Sequence, residues 1–340
     1  MEINFERGES MAGKKKKFIL GIDLGGTKIL IGLFDRKFSL KKTVKLEMDG
    51  NRGERFFFNK LIDGIEEVLE ETGSDLSDLV TIGVGCPGII DIYKGIVKVS
   101  SNVSFFKNYS LAEKLKAKLK TPVFIENDAN AGLFGEQQFG AARGYREVVG
   151  VFLGTGIGGA LIINGHLYRG ASGGAGEIGQ TFLSLPSFSD FETSRQKVGA
   201  LVGRNAIASE AGFLLLRQKC PHLLEEIGYN VKKIRSGALS RAIKAGDIAL
   251  EELIRSRSRW LGVALANVVN ILNPELILLG GGMMEAMGKI ILPEVRREME
   301  AYALKPLAKV VKIVPSKLKD NAVILGAAKM AHEVFKAAKK

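Results

Sequence analysis

Two hydrophobic periods alternate along this chain. Residues 18–23, a glycine-bearing turn over 24–28 and residues 29–34 read as a hairpin with glycines at its tip. Phe57, Leu61, Ile62, Ile65, Val68 and Leu69 then recur at helical spacing up to about Gly73, and residues 80–85 follow as a buried strand. Ser110 with Glu113 has the pattern of a capping box for a helix whose apolar face is Leu111, Leu115 and Leu119, and Pro122 stops it. A short strand over 123–125 leads into Glu126-Asn127-Asp128 and then into a helix of small and apolar residues, Ala129, Ala131, Leu133 and Phe134. Asp128 therefore falls at a strand-to-helix junction.

The second half repeats the opening theme. Strands over 148–153 and 160–163 flank Gly154-Thr155-Gly156-Ile157-Gly158-Gly159, an echo of the first hairpin that suggests two related halves. A long helix over about 248–272 ends at Asn273-Pro274, followed by a strand over 275–279, a Gly280-Gly281-Gly282 turn and a further helix from Met283. A last helix covers about 322–337. Residues 1–17 are polar, aperiodic and carry a second methionine, Met11, so they read as a flexible tail.

A chain of 340 residues exceeds the usual span of one core, so two domains are expected. The apolar runs are strand-sized and far short of a bilayer-crossing helix. The lysines of 14–17 precede an apolar stretch broken at once by Asp23, so no signal-peptide core is present and a cytoplasmic location is expected. Two cysteines, Cys86 and Cys220, make neither a metal pair nor a secreted framework, and His166, His222 and His332 show no ligand spacing. The net charge of +12 is interleaved with acids, as in Glu113-Lys114 and across 251–259, which fits a solvated surface biased toward anionic substrates better than a nucleic-acid face.

Three glycine-rich turns carry the candidate chemistry. Asp23-Leu24-Gly25-Gly26-Thr27-Lys28 places an acid before a hairpin tip where backbone amides can approach phosphate oxygens, with a hydroxyl and a cation beside them. It matches neither a P-loop nor a dinucleotide fingerprint, and a plain tight turn remains an equal reading of it taken alone. Residues 154–159 and 280–282 pose the same choice, and three such turns in one chain favour nucleotide contact. Asp23 beside a phosphate loop would hold Mg²⁺ through water. By position alone, Asp128 reads first as a helix N-cap.

The motifs Asp23 to Lys28, Glu126-Asn127-Asp128-Ala129-Asn130, residues 154–159, Gly174-Ala175-Gly176-Glu177-Ile178-Gly179 and Asn273-Pro274 through Gly282 together resemble the ROK family of bacterial repressors and sugar kinases, in that family's order over about 18–326. The resemblance implies an α/β, two-domain actin-like ATPase (ribonuclease H-like) fold, with a mixed five-stranded sheet in each domain and ATP and sugar in the interdomain cleft. Its domains would be 18–123 plus 322–338 and 124–321. It implies phosphorylation of a hexose, glucose by default at the 6-hydroxyl, with Asp128 as general base. Asn102, Asn127, Glu177, Gln180 and Glu192 would bind the sugar. Asp23, Gly25, Gly26, Thr27, Lys28, Gly154, Thr155, Gly156 and Gly158 would hold Mg·ATP, with Gly281 and Gly282 along the adenosine. A homodimer or homotetramer would be the assembly, with neither nucleic acid nor membrane as a partner.

The sequence departs from the family pattern at Gln180, where family kinases carry a zinc-binding histidine, and across 181–190, which lacks the accompanying cysteines. No zinc site is expected, and Phe182, Leu185, Phe188 and Phe191 are candidates to pack in its place. The alternatives are a kinase for fructose, mannose or an N-acetylated amino sugar, a polyphosphate-dependent kinase, a sugar-binding regulator without turnover, and an actin-like or chaperone-like ATPase without a sugar.

Overall fold

A computed structural model describes residues 16–25, 27–48, 52–100, 103–183 and 197–338. They form two compact units, unit 1 within 1–143, 169–175 and 320–340, and unit 2 within 144–168 and 176–319.

Unit 1 begins with β1 (Phe18–Leu24), β2 (Lys28–Asp35) and β3 (Leu40–Glu47), followed by α1 (Glu54–Glu70) and β4 (Leu79–Cys86). After these come β5 (Ile89–Asp91), β6 (Ile96–Val99), β7 (Lys107–Tyr109), α2 (Leu111–Leu119), β8 (Val123–Asn127) and α3 (Asp128–Phe139). The main sheet has the order β3-β2-β1-β4-β8, antiparallel from β3 to β1 and parallel from β1 to β8. Strands β5, β6 and β7 make a small antiparallel sheet that the sequence pattern did not announce. The edge strand β3 carries Lys41, Lys42 and Lys45, whose charge discourages further strand pairing.

One face of the main sheet buries Ile22, Leu24 and Ile31 with Phe57, Leu61 and Ile65 of α1 and Leu111 and Leu115 of α2. On the other face Ile19, Leu30, Phe34 and Val80 pack with Ile324 and Ala328 of the C-terminal helix Asn321–Ala337. That helix lies on glycine. A Cβ at Gly21 would stand 2.0 Å from the Ile324 carbonyl oxygen, one at Gly83 1.9 Å from that of Ala327, and one at Gly326 1.8 Å from that of Ala131 in α3.

Unit 2 contains β9 (Val148–Leu153), β10 (Ile157–Ile163), β11 (His166–Tyr168), α4 (Val198–Val202), α5 (Arg204–Leu216) and α6 (Pro221–Ile227). It continues with α7 (Ser236–Ala245), α8 (Ile248–Leu272), β12 (Leu276–Gly280), α9 (Gly282–Tyr302), α10 (Lys305–Ala308) and β13 (Lys312–Pro315). Its sheet has the order β11-β10-β9-β12-β13 with the pairing directions of unit 1 repeated strand for strand. The echo between the two hairpins thus extends to whole mixed five-stranded sheets. Helix α8 stops where Asn273 turns left-handed, with φ of 44°.

Two sequence expectations change. The division between units falls at 143/144 rather than 123/124, because β8 extends the first sheet along β4 and α3 packs on the C-terminal helix. The capping box at Ser110 does not form. Its φ of −76° and ψ of 64° lie outside the extended region a cap requires, and its side chain makes no cap bond.

Candidate active site

In unit 1 the site is set by strand register. Asp23 of β1 pairs with Gly85 of β4, and Gly85 with Glu126 of β8, so two carboxylates lie in one row at the carboxyl ends of three parallel strands. Open α/β sheets bind ligands at that edge. Gly85 between them is required for close packing, since a Cβ there would lie 2.5 Å from Val323 Cγ1 and 3.5 Å from Asp128 Cα.

The chain leaves β8 directly into α3, and the cap is Asn127 rather than Asp128. Asn127 Oδ1 accepts the Asn130 N–H at 3.0 Å, while its Nδ2 donates to the Gly88 carbonyl at 3.1 Å. Asp128 is the first helical residue, its Oδ1 accepting the Ala129 N–H at 2.8 Å. Burial raises the Asp128 pKa above the usual carboxylate value, and hydrogen bonds from Ala129 and Asn127 oppose that rise. Asp23 is pushed up to about 7, first by burial and then by the charge of Asp128, with Lys28 pulling the other way. The Cys86 thiol, buried at the end of β4, is driven upward by burial and by Asp128, Glu126 and Asp23. One small volume therefore holds three carboxyl groups.

Glu126 is 1% exposed and fully engaged. Its Oε1 accepts the Asn127 N–H at 2.9 Å and Asn130 Nδ2 at 3.1 Å, and its Oε2 receives Arg169 Nε at 2.7 Å. Arg169 comes from the segment 169–175, which belongs to unit 1. At the first hairpin, Gly25 N–H donates to the Lys28 carbonyl at 2.8 Å, and Thr27 is exposed at the tip. Lys28 Nζ holds Asp320 Oδ1 at 2.9 Å, with Lys45 3.8 Å from the other oxygen. Arg169 and Asp320 carry no local motif and were missed in the sequence; only the fold brings them here. Gly26 and Asn102 lie outside the described residues.

In unit 2 the glycine turn is shorter than the motif suggests. Gly154-Thr155-Gly156 make the bend, while Gly158 sits in β10 opposite Phe152 and Gly159 opposite Val151. Gly158, expected at the phosphates, is a strand residue, and Gly159 is needed because a Cβ there would be 2.2 Å from the Gly176 carbonyl oxygen. Gly281 has φ of 89° and lies against Leu153, which excludes a side chain, and Gly282 begins α9 rather than a loop. Glu177 precedes the short 3₁₀ turn Ile178–Gln180, and Gln180 Oε1 accepts Lys197 Nζ at 2.9 Å. Phe182 and Lys197 form an antiparallel bridge. Phe182 itself is 51% exposed, so it does not fill an apolar core there. Leu185, Phe188, Phe191 and Glu192 lie outside the described residues.

The residues fit magnesium held chiefly by water and phosphate. Among the described residues no group of three or more acidic, histidine or cysteine side chains forms a ligand cage. Asp23, its charge disfavoured by burial and by Asp128, is nevertheless a carboxylate that a nearby divalent cation would stabilise.

The profile of the ROK family matches residues 19–334. The chain belongs to the ROK family. A glucokinase of Thermotoga maritima is 32% identical over 319 residues, covering 93% of this chain and 97% of that protein. The xylose repressor of Bacillus subtilis is 29% identical over 322 residues, covering 95% of this chain and 79% of the repressor. Among solved structures, a ROK glucokinase from Streptomyces griseus in complex with glucose and AMPPNP superposes with a TM-score of 0.82 at 25% identity, over 93% of this chain and 99% of that one. The two-unit architecture is thus the actin-like ATPase fold of ROK proteins, and among the described residues no helix is long and apolar enough to cross a membrane.

Proposed function

We propose that this ROK protein is an ATP-dependent sugar kinase that phosphorylates a hexose, with glucose at its 6-hydroxyl as the default acceptor. The observation that carries the reading is the separation of roles at the start of α3. Asn127 caps the helix, so Asp128 is not needed as the cap, and burial raises the Asp128 pKa toward the range where a carboxylate is an effective proton acceptor.

Phosphoryl transfer to an alcohol requires alignment, neutralised phosphate charge and one group to take the hydroxyl proton. Asp128 takes that proton. Asn127, whose Oδ1 keeps one lone pair beyond the bond from Asn130 N–H, is a candidate hydroxyl acceptor in unit 1, and Glu177 and Gln180 are candidate hydroxyl ligands in unit 2. In unit 1 the candidate phosphate contacts are Lys28, Gly25 and Thr27, and in unit 2, taken by itself, they are Gly154 to Gly156. Bound through water to Asp23, magnesium would neutralise charge on the donor phosphates. Glucokinase relatives and the AMPPNP complex of a family member support this assignment.

The test is an assay of ADP release over a hexose panel, with ATP and polyphosphate as donors. Asp128→Asn is expected to lower kcat by about 10²- to 10⁴-fold while sugar binding persists. Undiminished turnover in that variant rejects the mechanism. The similarity to xylose repressors favours a second reading, a sugar-binding regulator without turnover. Thermal stabilisation by a sugar with no ADP release under any donor supports that reading instead.

A further inference from the structure

In unit 2, α5 starts on the Gly154 to Gly156 turn, α9 starts beside the strand that leads into that turn, and α7 starts beside α9. Helix α5 starts directly on it, with the Arg204 N–H donating to the Gly154 carbonyl at 3.1 Å and the Asn205 N–H to that of Thr155 at 3.2 Å. Helix α9 starts beside Gly281, whose Cα direction is closed by Leu153 at the end of the same strand. Helix α7 starts at Ser236, whose Oγ lies 3.8 Å from where a Cβ on Gly282 would stand. Each such terminus carries about half a positive charge.

A cation is unfavourable at a helix N-terminus, yet Arg204 is the first residue of α5 and Arg235 the cap residue of α7. The two guanidinium groups are near enough that Arg235, after burial, lowers the Arg204 pKa. Arg204 Nη2 is held over the turn by Thr155 Oγ1 at 3.0 Å. Among the described residues neither arginine has a carboxylate partner, whereas Arg241, Arg255, Arg257, Arg259 and Arg297 of the same unit do, and Arg146 and Arg296 are held by backbone carbonyls instead. Nothing lies within 4 Å of where side chains on Gly154 and Gly156 would project. Arg204 thus stands over a turn that is open to a ligand's approach, with Arg235 near enough to add a second positive charge.

We propose that Arg204 and Arg235 form a two-guanidinium clamp for the phosphate chain of the phosphoryl donor, over the Gly154 to Gly156 turn. The donor role rests on the kinase reading. The ligand chemistry does not: it is a chain of linked phosphates, from a nucleoside triphosphate or from inorganic polyphosphate. Guanidinium forks suit paired phosphate oxygens, so lysine is a poor replacement.

The experiment is calorimetric titration of ATP and of inorganic tripolyphosphate, each with magnesium, into wild type, Arg204→Met, Arg204→Lys and Arg235→Met. Either methionine variant should bind both ligands about 10- to 100-fold more weakly, as expected for a lost charge-assisted hydrogen bond, with the KM for sugar unchanged. Because each substitution removes a cation from a helix N-terminus, the unliganded variants should melt no lower than wild type, which separates lost binding from lost fold. ATP binding at least about tenfold tighter than tripolyphosphate (about 1.4 kcal/mol) assigns the clamp to a nucleotide, and equal affinity assigns it to the phosphate chain alone. Methionine variants that bind both ligands as wild type does overturn the clamp. A wild type that binds tripolyphosphate through these arginines but phosphorylates no sugar keeps the clamp and removes the kinase reading.

Discussion

Asp23→Asn should make the unliganded protein more stable at pH 8 and, on the proposed kinase reading, abolish phosphoryl transfer from magnesium-bound ATP. The wild-type carboxyl titrates near 4 in an unfolded chain and at about 7 in the fold. A carboxyl with a raised folded pKa favours the folded state fully below pH 4, and that contribution is lost as pH rises through about 7. A shift of about three units corresponds to about 4 kcal/mol at most, at about 1.36 kcal/mol per unit. Asp23 is only partly buried and its charge is shared with Asp128 and Lys28, so solvent screening reduces the expected effect to about 2 kcal/mol. The assay is thermal or urea unfolding from pH 4 to pH 9 in low salt, without nucleotide or magnesium. Wild type should lose stability between pH 4 and 8, and Asp23→Asn should lose about 2 kcal/mol less over the same range. Equal slopes for the two proteins, or a variant less stable than wild type at pH 8, would show that Asp23 does not carry an unfavourable charge and that the acidic row is not electrostatically strained.

Other substitutions probe the supports around that row. Arg169→Met leaves the 1%-exposed Glu126 carboxylate without its cation, so unfolding should shift by about 3–5 kcal/mol, and adding Glu126→Gln should recover most of the loss. No recovery in a double-mutant cycle would mean that the two side chains act independently. Asn127→Ala removes the cap of α3 and should cost about 1 kcal/mol by denaturation, together with a raised sugar KM. A variant with normal stability would place the cap elsewhere. At Gly83, alanine puts a methyl 1.9 Å from the Ala327 carbonyl oxygen, and the C-terminal helix must move. A loss of about 3 kcal/mol or more is expected, and retention of the wild-type midpoint would show that this contact relaxes freely.

The sequence by itself determined the local elements and the motifs that terminate them. Helical spacing located α1 and α8, the left-handed Asn273 stop was visible as Asn-Pro, and the paired glycine hairpins announced two related halves, now matched strand for strand. Period and turn chemistry act over a few residues, which is why they are legible without a fold. Other features needed the tertiary structure. Asn127 rather than Asp128 caps α3 because the cap depends on backbone angles that residue type does not fix. Gly158 and Gly159 looked like loop residues but belong to β10, where a backbone from Gly176 presses on the strand. Asp320, Arg169, Arg204 and Arg235 had no signature at all, because an isolated charge is ambiguous until its neighbours in space are known. Whether a charge is paired, stranded at a helix N-terminus or buried beside a like charge is a property of the packed chain, and that property decides which residues here can handle phosphate and protons.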